Sequence, residues 1–206
     1  MSAVSLTKDP YNIIITGVGG QGNVLAARLL GDMLAAKGLL ITIGETFGAS
    51  QRGGSVMSHL RISGKSVASP QIPRGGADAI VSLEPAEALR VLAVYGNPGT
   101  ILLTNNHAIY PVGVIKGELD YPSVNEMKEA VARILPAAYF LDATERALVL
   151  GNSILTNIVM LGALGRLAVV PFDRKDFSEA IALRLPPGQV AVNLEAFDAG
   201  YGMVRN

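Results

Sequence analysis

Apolar residues along this chain come in short unbroken runs that alternate with longer stretches of helical spacing. Residues 12–16 form a brief apolar run, read as a buried first strand. Over residues 21–37, Leu25, Leu29, Leu30, Met33 and Leu34 recur on one helical face, with Arg28, Asp32 and Lys37 elsewhere, and Gly38 ends the helix. Residues 40–46 read as a second strand. Residues 55–62 alternate with period two, the signature of a strand with one covered face. After a turn at Gly64-Lys65, prolines and glycines make 68–77 irregular. Residues 78–84, 100–104 and 138–142 read as further strands. Pro85 stands where a helix would begin, and the helix 123–135 opens on Ser123 with Glu126 three positions on, a capping box. The last third reads as helices at 153–169, 176–185 and 189–201. Strands alternating with helices predict a Rossmann-like three-layer α/β/α fold with a mainly parallel sheet, as one domain spanning residues 1–206.

Composition narrows the function. Of 206 residues, half are hydrophobic and only 17% charged, and the formal net charge is zero. Such a chain is no disordered segment. It carries no electrostatic footprint for nucleic acid or for an anionic membrane. It has no cysteine, which excludes disulfides, thiolate zinc sites and cysteine-held iron–sulfur clusters. With no signal segment at the N-terminus, the expected compartment is the cytoplasm. The most apolar window, 147–170, contains Asn152, Ser153, Thr156, Asn157 and Arg166, so it reads as a buried helix rather than a membrane span. A domain this poor in charge leaves apolar surface, which predicts contact with a partner.

Two glycine-rich segments carry the candidate chemistry. Gly17-Val18-Gly19-Gly20-Gln21-Gly22 follows a strand and opens a helix, the context in which G-x-G-x-x-G has physical meaning. Glycines there allow a tight turn and close approach of a ligand, and amides at the helix start attract an anion. Glu45 follows roughly 20 residues later, about where a ribose-binding acid falls in a dinucleotide fold. Three readings stay open for the turn: a dinucleotide site, a site for another phosphate-bearing ligand or an interface, or plain architecture. The second segment, Gly48-Ala49-Ser50-Gln51-Arg52-Gly53-Gly54-Ser55, combines three glycines with an arginine whose planar fork suits phosphate or carboxylate. In a parallel sheet it would lie on the same edge as the first turn.

Other features read less sharply. His59 and Arg61 share a strand face and either extend an anion-binding surface or form a half-exposed strand face. His107 reads as a loop residue, and Glu84 either orients a ligand or caps the helix at Pro85. The helix around Asn157 is apolar nearly all round, so it is buried in the core or lies between subunits, with Gly162 and Gly165 permitting close approach. No serine-hydrolase, zinc-protease or Walker A motif is complete; the glycine a Walker A loop would need falls at His59.

At these residues the sequence resembles a known family. The glycine turn, the run from Glu45 to Ser55, Ser69-Pro70-Gln71-Ile72-Pro73, and the run from Leu83 to Arg90 occur here in the order found in the small subunit of indolepyruvate:ferredoxin oxidoreductase. Residues 157–164 and 193–200 continue the likeness, which spans about 12–202. That subunit is the gamma-type chain of the 2-oxoacid:ferredoxin oxidoreductases. The resemblance implies a hetero-oligomer that oxidatively decarboxylates a 2-oxoacid, forms acyl-coenzyme A and reduces ferredoxin. It places thiamine diphosphate and the iron–sulfur clusters in a large partner subunit, with this chain helping to receive coenzyme A. By that resemblance the ligand-contacting residues are Gly17, Gly19, Gly20, Gln21, Gly22, Gln51, Arg52, Gly53, Gly54 and Ser55, and no catalytic residue or metal ligand is assigned to this chain. Alone, the chain would be inactive, and the partner surface, left uncovered, would allow a homodimer. Phe47 stands where the family pattern leads one to expect His, which removes a proton-handling role from that position. Two rival expectations remain: a self-sufficient NAD(P)-dependent oxidoreductase using Glu45, and a nonenzymatic assembly or regulatory subunit.

Overall fold

The computed structural model describes residues 6–48 and 54–204. The elements run β1 (Tyr11–Val18), α1 (Asn23–Ala36), β2 (Leu40–Phe47), β3 (Ser55–Ser63), β4 (Ala79–Ser82), α2 (Pro85–Tyr95) and β5 (Ile101–Asn105). They continue as α3 (Val112–Ile115), α4 (Val124–Ala132), β6 (Ala138–Leu141), α5 (Ala143–Val149), α6 (Thr156–Leu167), α7 (Arg174–Ala182) and α8 (Pro187–Met203). One sheet of six strands has the order β2-β3-β1-β4-β5-β6. The pairs β1/β4, β4/β5 and β5/β6 are parallel, and β3 runs antiparallel to both β1 and β2. Five strands therefore point one way and β3 alone points the other. The sequence expectation of a mainly parallel three-layer fold holds, with β2 and β3 added as a hairpin at one edge.

Alternation along the central strands divides the core. Ile13 and Ile15 of β1, Val81 of β4 and Leu103 of β5 face the layer that contains α1 and α6. Ile14, Ile80 and Leu102 face the opposite layer, built on α2 and Val131 of α4. Side chains of a strand point to opposite faces in turn, so runs such as Ile13-Ile14-Ile15 are apolar throughout because both faces are covered. Helix α6 lies deepest: every residue from Thr156 to Gly165 is buried. It is covered by α8 as well as by the sheet, which settles the sequence alternative in favour of core burial. No helix among the described residues is long and apolar enough to cross a membrane.

Capping follows the sequence. Ser123 and Glu126 form the reciprocal box at α4, Asp173 and Asp176 another at α7. Two short helices, α3 and α5, carry too few residues to leave a periodic signal and were not expected.

The hairpin changes the meaning of two sequence candidates. His59 is 2% exposed, and its ring meets Tyr95 edge-on with centroids 5.1 Å apart. The Ile72 amide donates to His59 Nδ1 at 3.4 Å. Arg61 Nε donates to Asn12 Oδ1 at 3.1 Å, and its Nη1 donates to Ser69 Oγ, also at 3.1 Å. Neither residue serves an open anion-binding surface. Together they hold the segment 69–73 over the β2–β3 face, where α2 reaches only β3, through Tyr95 and Glu87. Burial pushes the His59 pKa down. Its neutral form is favoured in the fold, while the unfolded chain binds a proton below about pH 6.5. This contribution to stability is whole above that pH and is lost progressively as the pH falls from there through the lower pKa of the folded state. Urea titrations at pH 7.5 and 5.5 should show lower stability at the acid pH, with the difference reduced in His59→Gln. An equal difference in the variant would remove His59 as its source.

Candidate functional site

The carboxyl ends of the five codirectional strands collect the polar residues. At β1, the chain turns through Gly20 and Gly22, both in the left-handed region with φ of +104° and +82°. Side chains other than glycine rarely take that conformation. A Cβ on Gly17 would fall 2.5 Å from Gln21 Oε1, so Gly17 is there for close packing inside the turn. Gly22 carries no side-chain cap for α1, and its carbonyl accepts instead from Asn157 Nδ2 at 3.2 Å. Asn157 thereby ties α6 to the glycine turn, a contact across 135 residues of chain that no local pattern signals.

The Gln21 side chain is used within the fold. Its Oε1 accepts from the Val18 amide at 2.7 Å, and its Nε2 donates to the Leu83 carbonyl at 2.9 Å. Leu83 also receives Asn105 Nδ2 at 3.1 Å. Asn105 is fully buried, and it further binds the Thr144 hydroxyl at 2.9 Å and the Thr144 amide at 3.2 Å. Thr144 meets the Thr156 hydroxyl at 3.1 Å. This network ties the ends of β1, β4 and β5 to α5 and α6. Buried polar groups with their partners satisfied make a rigid floor. Asn105 and Thr144 were not singled out from the sequence: Asn105 opens a stretch that reads as polar loop, and the short segment holding Thr144, part of α5, carries no readable pattern.

Two cavities open above that floor. One, of about 340 Å³, is lined by Gly19, Gly20, Gln21, His107, Thr144 and Thr156 among others. The second, about 590 Å³, lies beside it and shares His107 and Thr144, with Tyr110, Tyr121, Glu126 and Asp142 on its walls. His107, read from sequence as a loop residue, is in a loop and faces both. This is where open α/β sheets take ligands, at the carboxyl edge where the strand order reverses about β1. Glu84, at the end of β4, is 2% exposed; burial raises its pKa, against hydrogen bonds from Tyr121 and the Ile109 amide.

The second glycine segment joins the same edge. The Gly19 amide donates to the Gly54 carbonyl at 2.8 Å, and the Gly48 amide to the Ser55 carbonyl at 2.8 Å. The Ser55 hydroxyl donates to Glu87 Oε2 of α2 at 2.7 Å. The base of the hairpin thus stands against the glycine turn, as the shared-edge expectation required. Ala49, Ser50, Gln51, Arg52 and Gly53 lie outside the described residues.

Glu45 does not sit where a ribose-binding acid would. Strand β3 separates β2 from β1, so Glu45 is one strand further from the glycine turn than the spacing implied. It pairs with Arg28 of α1 at 3.4 Å.

A family model described as pyruvate ferredoxin/flavodoxin oxidoreductase matches residues 12–203. The chain belongs to this family. Within the pyruvate ferredoxin/flavodoxin oxidoreductases it is 42% identical, over 92% of its length, to the indolepyruvate oxidoreductase subunit IorB of Pyrococcus horikoshii, of which 94% is covered. It is 40% identical to the subunit of the same name from Thermococcus kodakarensis, with the same coverage. Among solved structures, the pyruvate oxidoreductase subunit PORC of Thermotoga maritima aligns over 96% of this chain and 98% of that one, with a TM-score of 0.70 at 22% identity. The 2-oxoglutarate:ferredoxin oxidoreductase of Magnetococcus marinus, with 2-oxoglutarate, coenzyme A and succinyl-CoA bound, aligns at a TM-score of 0.72 and 22% identity. That match covers 95% of this chain and 31% of that longer one. At such identities the structures show a shared fold.

Membership makes the chain a subunit of an oxidoreductase whose family works with thiamine diphosphate and iron–sulfur clusters in the complex. The residues present do not fit a cluster: the sequence has no cysteine to ligate iron. Among the described residues no three His, Asp or Glu side chains group to hold a metal ion.

Proposed function

We propose that this chain is the small, gamma-type subunit of an indolepyruvate-type 2-oxoacid:ferredoxin oxidoreductase, and that its carboxyl-edge cleft forms one wall of the site where coenzyme A is received. The observation that carries the reading is the meeting of the two glycine segments, Gly19 amide on Gly54 carbonyl, beside a cleft floored by Asn105 and Thr144. Gly19 and Gly20 bring backbone to the cavity, and the uncapped start of α1 offers amides to an anion such as a phosphate or pyrophosphate. Gly17, Gly22 and Gln21 serve the shape of the turn. Gln51, Arg52 and Gly53 join them from the hairpin loop, with Arg52 the charged group for a phosphate. Gly54 and Ser55 fix the base of that loop.

The thiamine and iron–sulfur chemistry belongs in this reading to a large partner subunit, which passes electrons to ferredoxin. The exposed apolar side chains near this edge, Phe47, Tyr110, Val112, Ile115 and Leu119, supply the surface on which a partner would rest. The NAD(P)-dependent alternative loses its support with the position of Glu45. The substrate, an aryl pyruvate such as indolepyruvate, follows from the relatives named above, and the cytoplasm is the proposed location.

In the assembled enzyme, Arg52→Ala should raise the KM for coenzyme A by roughly tenfold or more, the effect of removing a charge-assisted hydrogen bond, while the KM for the 2-oxoacid changes little. Unchanged coenzyme A kinetics would take Arg52 out of the site.

A further inference from the structure

The connection from β5 to α4, residues 106–123, is long for a compact domain and contains only the one-turn helix α3. Its outer residues Val112, Ile115 and Leu119 are more than 60% exposed, so little apolar packing holds it. Yet this excursion supplies His107 and Ile109 to the smaller cavity and Tyr110 and Tyr121 to the larger. Something must fix it, because a segment with few buried contacts opens readily.

Glu84 has the geometry to do so. Its two carboxylate oxygens have separate duties. Oε2 accepts from the Glu87 amide at 2.8 Å and caps α2. Oε1 accepts from the Ile109 amide at 3.3 Å and from the Tyr121 hydroxyl. Ile109 and Tyr121 stand at the two ends of the excursion. The Tyr121 ring is held in turn edge-on by Tyr110, with centroids 5.0 Å apart. Capping alone does not explain the residue: serine, threonine, aspartate and asparagine are the favoured caps, and glutamate is not among them. A buried carboxylate with both oxygens occupied is explained by a second task.

We infer that Glu84 is a positioning residue, fastening both ends of the 109–121 excursion to the end of β4 and so setting the outer wall of the cleft. Its effect on ligand binding rests on the function proposed above; its effect on the excursion does not.

Two variants separate the clamp from the cap. Tyr121→Phe removes one clamp donor and leaves the cap intact. Glu84→Ser retains a capping hydroxyl and removes the clamp. Hydrogen exchange on the full chain should show amides of 106–122 exchanging roughly tenfold faster or more in both variants, the loss of a hydrogen bond to a charged group. The first-turn amides of α2 should be unchanged in Tyr121→Phe. In the enzyme assembled with its large subunit, both variants should raise the KM for coenzyme A several-fold at nearly constant kcat, the pattern of lost uniform binding. Wild-type exchange across 106–122 in Tyr121→Phe would overturn the clamp. Faster exchange with unaltered KM would overturn the positioning role and leave Glu84 a purely structural tie. Absence of any coenzyme A-dependent turnover in the unmodified assembled enzyme would instead sink the proposed function, while the exchange result still decides the clamp.

Discussion

Gly200→Ala should destabilise the fold by about 3 kcal/mol or more, at the upper end of what overpacking a core costs. Helices α6 and α8 cross with their backbones in contact. A Cβ added to Gly200 would be driven into the carbonyl group of Val159, and one added to Gly162 into the carbonyl of Phe197. Neither obstacle is a side chain that can rotate away. Relief requires α8 to lift from α6, which would uncover Phe197, Val159 and Ala196, all buried. It would also move Asn157, whose amide holds the Gly22 carbonyl. Gly202, two residues further along α8, meets nothing within 4 Å and provides the control. Gly202→Ala should leave stability unchanged or raise it by a few tenths of a kcal/mol. Urea denaturation of both variants checks this. A Gly200→Ala protein within about 0.5 kcal/mol of the parent, the range of an ordinary surface change, would show that the crossing has room.

That crossing marks what the sequence could and could not disclose. The glycine turn, the hairpin strand 55–62, the capping box at Ser123 and the all-round apolar helix at Asn157 are local patterns, and the structure contains each of them. Gly162 was legible as a close-approach residue because it sits in an apolar helix; Gly200 was not, because its reason lies in Val159, far away in the chain. The same holds at the site. The placement of Glu45 failed because spacing counts residues along the chain, while the insertion of β3 between β1 and β2 is a fact of pairing. Asn105 and Thr144 were invisible for a related reason. Each satisfies the other across 39 residues, and polar residues after a strand look alike whether they floor a cleft or face water. His59 and Arg61 were placed on one strand face correctly, but the segment 69–73 that covers that face has no periodic pattern of its own.

The second large effect concerns turnover. The chain alone should be inactive, and activity should appear only with its large subunit. In the assembly proposed above, electrons from the 2-oxoacid pass through iron–sulfur clusters of the large subunit, and a chain with no cysteine offers no thiolate to hold one. The cleft is also incomplete as a reaction site. Its described residues supply amides, hydroxyls, tyrosines, carboxylates and the His107 imidazole, but no three of them group to hold a metal ion. In the proposed assembly the exposed apolar side chains along 110–119 would be covered by the large subunit, which would give the low charge of the chain a physical reason.

The most direct measurement is therefore indolepyruvate- and coenzyme A-dependent reduction of ferredoxin by this chain, by its large subunit, and by the two together. Turnover is expected in the pair only, with both substrates required. Turnover by the isolated small chain, or full coenzyme A-dependent turnover by the large subunit without it, would contradict a shared site completed by this chain.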